Sequence, residues 1–185
     1  MSQTRSRLSF LWKFMRHPLR NASVVPSSKV ASRNMLHGLD MKSMKYVVEL
    51  GPGTGVFTDE LYRRLPDDAQ VLVIELDAEY VQDLRRRFGH RFDIVQASAS
   101  DMETLIAERN WPRVDFVISG LPFVIPQSVK EVLFAALKAR TEQGAVFRFF
   151  TYMPPLMKPH YRDFDLKLVR FVGANFPPMW IYSVN

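Results

Sequence analysis

The sequence predicts an α/β fold: a doubly wound, mostly parallel seven-stranded sheet with an antiparallel C-terminal hairpin and an N-terminal amphipathic helical arm. Three observations predict it. Short β-rich runs alternate with amphipathic helical patterns, a glycine-rich turn follows the first run, and the last two runs stand too close to hold a helix between them. Length and composition agree: 185 residues, 47% hydrophobic and 24% charged, suit one domain with one sizeable core and exclude disorder as the main state. The absence of cysteine excludes disulfides, thiol nucleophiles and thiolate-bound zinc, and is compatible with a reducing cytoplasm. No apolar run approaches the roughly 20 residues that cross a bilayer.

Residues 45–50, 71–76, 92–96, 114–119 and 145–151 are short, rich in Val, Ile and Phe, and bounded by breakers, so they read as buried strands. Helical patterns separate them. Phe57, Leu61 and Leu65 lie four apart and stop at Pro66; Val81, Leu84 and Phe88 stop at Gly89; Val129, Val132, Leu133, Ala136 and Leu137 follow the capping pair Ser128 and Glu131. Such crossovers make the strands parallel. Residues 166–172 and 179–184 are joined only by residues 173–178, which predicts an antiparallel pair at one edge.

The first strand runs into Glu49-Leu50-Gly51-Pro52-Gly53-Thr54-Gly55 and then a helix, the place in an open parallel sheet where a nucleotide-like ligand docks against backbone. Neither phosphate fingerprint fits. There is no Lys followed by Ser or Thr, and Val56 stands where a dinucleotide loop carries a third spaced glycine. Glu49 beside the turn would repel a pyrophosphate but suits a ligand with an ammonium and a sulfonium. Glu75 ends the second strand at the spacing of an acid that bonds ribose hydroxyls. Adenosine with positive charge means S-adenosylmethionine. No histidine pair stands at metal-ligand spacing, so no metal is expected.

This glycine segment resembles motif I of class I methyltransferases, and the order of elements resembles that family's seven-stranded Rossmann-like sheet. The resemblance implies that Glu49, Gly51, Gly53 and Gly55 line the methionine end of the cofactor and Glu75 its ribose. Where the family has an acid and a small residue near adenine, this chain has Ser98-Ala99, with Asp101 three positions on; Ser98, or Asp101 if the loop shifts, would then accept from the adenine amino group. Both are equally suited to a turn or a helix cap. The fourth strand ends Ser119-Gly120-Leu121-Pro122-Phe123, similar to the acceptor loop of rRNA adenine dimethyltransferases, which begin it with an Asn or Asp. Gly120 has no side chain to clamp a planar amine, which suits a flexible alkyl amine better.

Phe14-Met15-Arg16-His17-Pro18, Val24-Val25-Pro26-Ser27-Ser28, the Gly120 loop, Phe150-Thr151-Tyr152 and Asn175-Phe176-Pro177-Pro178 together resemble the bacterial phospholipid N-methyltransferases of the soluble-fold type. That resemblance implies methylation of an amine headgroup, phosphatidylethanolamine or an ornithine lipid. The expected acceptor-side residues are Gly120, Leu121 and Tyr152.

The arm is read by charge and geometry. No acidic residue precedes Asp40, while seven Lys and Arg do, leaving 18 basic residues against all 19 acidic ones. At about 100° per residue, Arg5, Lys13 and Arg16 fall on one side of a helix and Leu8, Leu11, Trp12 and Met15 on another. Arg5, Trp12, Lys13 and Arg16 are the expected contacts with an anionic membrane surface, which makes this a cytoplasmic protein peripherally bound at the inner membrane face. The same stripe also suits packing on the protein itself or on a second copy. Ser27 or Ser28 would cap a second helix containing Val30 and Met35 and ending near Gly38, a lid or a packing element. Residues 1–40 are thus arm and lid, and 41–185 the cofactor-binding domain. Two other readings stand beside the lipid enzyme. One is a nucleic-acid adenine methyltransferase whose arm tracks phosphates; the other is a cofactor-binding membrane or regulatory module without catalysis.

Overall fold

The computed structural model describes residues 26–122, 124–175 and 177–184. The membrane contacts expected at Arg5, Trp12, Lys13 and Arg16, and Phe123 of the acceptor loop, lie outside the described residues. Helix α1 (Pro26–Met35) leads to β1 (Tyr46–Leu50), α2 (Val56–Arg64), β2 (Gln70–Glu75), α3 (Ala78–Phe88), β3 (Asp93–Gln96), α4 (Met102–Glu108) and β4 (Phe116–Ser119). Then follow α5 (Gln127–Glu142), β5 (Val146–Thr151), the short α6 (Pro154–Met157), β6 (Lys167–Val172) and β7 (Met179–Val184).

The strands form one sheet in the order β3-β2-β1-β4-β5-β7-β6, parallel from β3 to β5 and antiparallel where β7 meets β5 and β6. The expected edge hairpin is present, with its second strand inside. Composition explains the order: β7 is almost wholly buried and apolar, whereas β6 exposes Lys167 and Arg170 and breaks register between Leu168 and Arg170, features that an edge strand tolerates. Strand alternation divides the core. Val47, Val73 and Ile118 face α1, α2 and α3, while Val48, Leu72 and Val117 face α4 and α5.

Several expectations are corrected. Helix α5 begins at Gln127 behind Pro126 with no side-chain cap, so the Ser128 and Glu131 capping pair does not form; Glu131 instead accepts a 2.7 Å hydrogen bond from Gln127. Val132 is exposed, off the buried stripe of Leu133, Ala136 and Leu137. Helix α1 already begins at Pro26, which places Ser27 and Ser28 inside its first turn. Leu76 falls one residue beyond β2 and is 70% exposed. The sequence expectations do not include α4, whose seven residues bury Met102 and Ile106. Ala31, Met35 and Leu36 are part of the buried core, so the helix read as a lid is also a layer of the domain.

Candidate functional site

Because β1 to β5 are parallel, the segments that follow them all emerge at one edge of the sheet. Topology therefore gathers Gly51 to Gly55, Glu75, Ser98 and Ala99, Gly120 and Leu121, and Tyr152 along that edge. The turn between β6 and β7, which carries Asn175, joins them there. The order of the sheet reverses between β1 and β4, the crevice where open α/β sheets take ligands.

The glycine loop is held from two sides. Glu75 accepts the Gly53 amide at 3.0 Å on Oε2 and the amides of Leu76 and Asp77 at 2.8 and 2.9 Å on Oε1. A carboxylate has about four lone-pair sites, so Oε2 retains acceptor capacity for a hydroxyl. On the other side Arg87 donates 2.8 Å to the Thr54 carbonyl and 3.1 Å to Asp83. Gly51 has φ +63, and a Cβ there would lie 2.6 Å from Leu121 Cδ2; Gly53 has φ +54 with open space where a side chain would be. Gly53 thus leaves bare backbone on the loop, while Leu121 covers Gly51.

Glu49, on β1 just before the loop, is completely buried, and neither carboxyl oxygen has a hydrogen-bond partner. Burial pushes its pKa from 4.5 up to about 8, and the negative charge of Glu75 adds to the rise. The hydroxyl and amide of Thr58 oppose it, although that hydroxyl also lacks a partner of normal geometry. A carboxyl in this setting is poised to meet a cation.

On the acceptor side, the Gly120 amide donates 2.8 Å to the Leu50 carbonyl, and a Cβ on Gly120 would stand 2.5 Å from the Gly51 carbonyl oxygen. Close backbone approach thus requires glycine here. Leu121 packs over Gly51 and donates its amide to Ser119 Oγ at 3.2 Å, which couples the two loops. Tyr152 packs edge-on against Phe150, which packs on Phe57 of α2. Burial raises the Tyr152 phenol above its ordinary pKa, opposed by the neighbouring Asn175 amide. Ser98 caps the 3₁₀ turn Ala99–Asp101 in a capping box with Asp101, whose Oδ2 accepts the Ser98 amide at 3.1 Å. The cap holds this turn beside the end of β2, where Ala97 donates to the Glu75 carbonyl at 3.1 Å.

Arg87 and Thr58 were not legible as site residues. Arg87 is the last of three consecutive arginines, and nothing local distinguishes the one that reaches back 33 residues to Thr54. Asn175 had a motif signal but no role; the structure seats its Nδ2 on the Pro177 carbonyl at 2.7 Å, beside Tyr152.

A family model described as a methyltransferase domain matches residues 47–144. An ornithine lipid N-methyltransferase of Singulisphaera acidiphila is 34% identical over 177 residues, 94% of this chain and 92% of that protein. The ribosomal RNA small subunit methyltransferase A of Mycoplasma mycoides is 33% identical over 103 residues, 54% of this chain but only 36% of its own length. Among solved structures, an O-methyltransferase from Bacillus cereus in complex with SAH has a TM-score of 0.64 at 13% identity, covering 97% of this chain and 91% of that one. A fibrillarin from Aeropyrum pernix with natively bound S-adenosyl-L-methionine has a TM-score of 0.62 at 12% identity, covering 84% and 75%. Those two share the fold. The chain belongs to the methyltransferase-domain family and is an S-adenosylmethionine-dependent methyltransferase.

The residues present fit that cofactor: a buried carboxyl without a partner at Glu49, bare backbone at Gly53, and spare acceptor capacity on Glu75. Among the described residues there is no cluster of three or more His, Asp or Glu that would hold a metal, and no helix long and apolar enough to cross a membrane.

Proposed function

We propose that this enzyme transfers methyl groups to the amine of a membrane aminolipid headgroup, phosphatidylethanolamine or an ornithine lipid. The observation that carries this reading is Gly120. The Gly51 carbonyl oxygen lies 2.5 Å from where its Cβ would be, so the acceptor loop has no amide or carboxylate side chain at the place where adenine-directed enzymes clamp a planar base. The near end-to-end match with the ornithine lipid enzyme supports the same reading, against the partial match with the rRNA enzymes.

In the proposed arrangement Glu49 meets the cofactor's ammonium, Gly51, Gly53 and Gly55 admit its methionine end, and Glu75 takes a ribose hydroxyl. Ser98, Ala99 and Asp101 border the adenine. When bound, S-adenosylmethionine supplies an electrophilic methyl group on a sulfonium. The chain's own work is to hold a neutral amine in line with it, within about 3 to 3.5 Å. Leu121, packed over Gly51, excludes water between the donor and acceptor sides. Tyr152 stays protonated because burial raises its pKa, so it orients the amine by hydrogen bonding and does not act as the base. Its ring also favours the cationic product. The enzyme reaches its substrate as a peripheral protein on the cytoplasmic membrane face, through the basic arm.

The test is incubation with radiolabelled S-adenosylmethionine and vesicles containing phosphatidylethanolamine or ornithine lipid, with small-subunit rRNA in parallel. Label is expected in lipid after chromatography. Label in RNA alone overturns the proposal, and donor binding without transfer to any acceptor favours a non-catalytic module.

A further inference from the structure

Past the segments that carry Gly120 and Tyr152, two basic side chains from different elements touch. Lys130 Nζ lies 3.3 Å from His160 Nδ1. An ammonium only donates, so Nδ1 is the acceptor and the ring proton sits on Nε2. Burial and the Lys130 charge both lower the His160 pKa, which keeps the ring neutral beside the ammonium. Lys130 thus brings a positive charge and the N–H donors that His160 does not accept, with no ion pair to a carboxylate among the described residues.

Both residues are fixed relative to the acceptor segments. Lys130 stands on the first turn of α5, its amide bonded to the Pro126 carbonyl at 3.0 Å, directly after the loop that begins at Gly120. His160 belongs to the 3₁₀ turn Lys158–Tyr161, reached from Tyr152 through α6. That turn is anchored by Tyr161, which is stacked on Phe149 at 4.2 Å and 9° and lies 4.7 Å from Phe134 of α5. Phe149 pairs in turn with Ser119, the last residue of β4. The pair is therefore built onto the same framework as the acceptor loop, one short connection from each of its two sides.

We propose that Lys130, held in place by His160, forms an anion subsite that binds the negative group a few bonds from the reacting amine in a zwitterionic headgroup. This deepens the aminolipid reading and rests on it. The shared chemistry is an anion a few bonds from a primary amine: a phosphodiester in phosphatidylethanolamine or a carboxylate in an ornithine lipid. Gripping that anion fixes the amine's distance from the donor, a task that Gly120 has no side chain to perform.

The experiment compares the wild type with Lys130→Gln, His160→Gln and Lys130→Arg on three acceptors in the same neutral carrier vesicles: phosphatidylethanolamine, an ornithine lipid and a long-chain primary alkylamine without an anion. The preference for a zwitterion over the alkylamine, as a ratio of kcat/KM, is expected to fall about tenfold in Lys130→Gln, mainly through KM. His160→Gln should fall less, and Lys130→Arg should recover most of the preference. Calorimetric donor binding confirms that each variant is folded. A fall confined to one zwitterion supports the subsite and identifies its anion. An unchanged ratio in both Gln variants with intact donor binding overturns it, as does a loss of rRNA methylation with lipid preference untouched. If the wild type methylates none of the three amines, the aminolipid reading itself fails.

Discussion

A carboxyl with no exposed surface and no hydrogen-bond partner normally weakens a fold, and Glu49 is such a residue, a cost that the donor-binding role proposed for it would explain. Its pKa is raised from 4.5 to about 8, so the native state holds this proton more tightly than the unfolded chain does. Stability from this group is fully present below about pH 4.5 and is lost as pH rises through about 8, each unit corresponding to about 1.4 kcal/mol. Donor-free protein is therefore expected to melt at a lower temperature at pH 8.5 than at pH 5.5. Glu49→Gln should flatten that difference while weakening donor binding at least tenfold, as melts at the two pH values and calorimetry would show. Equal pH dependence in the two proteins would refute the assignment. The motif marked Glu49, but its isolation was not legible, because it follows from Thr58 and from the layer of helices above β1.

At the scale of elements, α1 is tied to the sheet by a buried hydrogen-bonding side chain as well as by its apolar face. Arg148, in the middle of β5, donates from Nη1 to the carbonyls of Met35 at 2.9 Å and His37 at 2.8 Å, the groups that a helix C-terminus leaves without partners. Burial lowers its pKa, and its Nε has no partner. The register Glu49, Ile118, Arg148 places this cation on the same face as the buried carboxyl, two strands away. Arg148→Met leaves the helix end uncapped and is expected to destabilise the fold by about 2 kcal/mol. Hydrogen exchange should rise first in residues 28–40, while β1 and β4 stay protected; uniform loss of protection would contradict this. In sequence, Arg148 reads as an outlier in an apolar strand, since its partners lie more than 100 residues earlier. The end of α5 toward the site was misread for a related reason: Pro126 sets the start of the helix before Ser128 can cap it.

At the scale of the molecule, basic charge is concentrated at one end of the chain. Among the described residues the buried clusters run from Ala31 onward, and five of the seven basic residues that precede Asp40 lie before residue 21. Deleting residues 1–20 is therefore expected to leave donor binding intact and to abolish sedimentation with anionic vesicles. Each Lys or Arg near such a surface contributes about 1 kcal/mol, and raising the salt should weaken the intact protein's binding progressively. Retained sedimentation of the shortened chain would move membrane attachment to the folded domain.

The parallel sheet, its antiparallel end and the glycine-rich turn after β1 were determined by the sequence alone, because hydrophobic period and glycine spacing are local properties. The tertiary structure decided that β7 enters the sheet inside β6, that Arg87 and Glu75 both hold the loop, and that Lys130 meets His160. Each of these joins residues distant along the chain. Only packing, which balances burial, charge and the pairing of polar groups over the whole molecule, selects such partners.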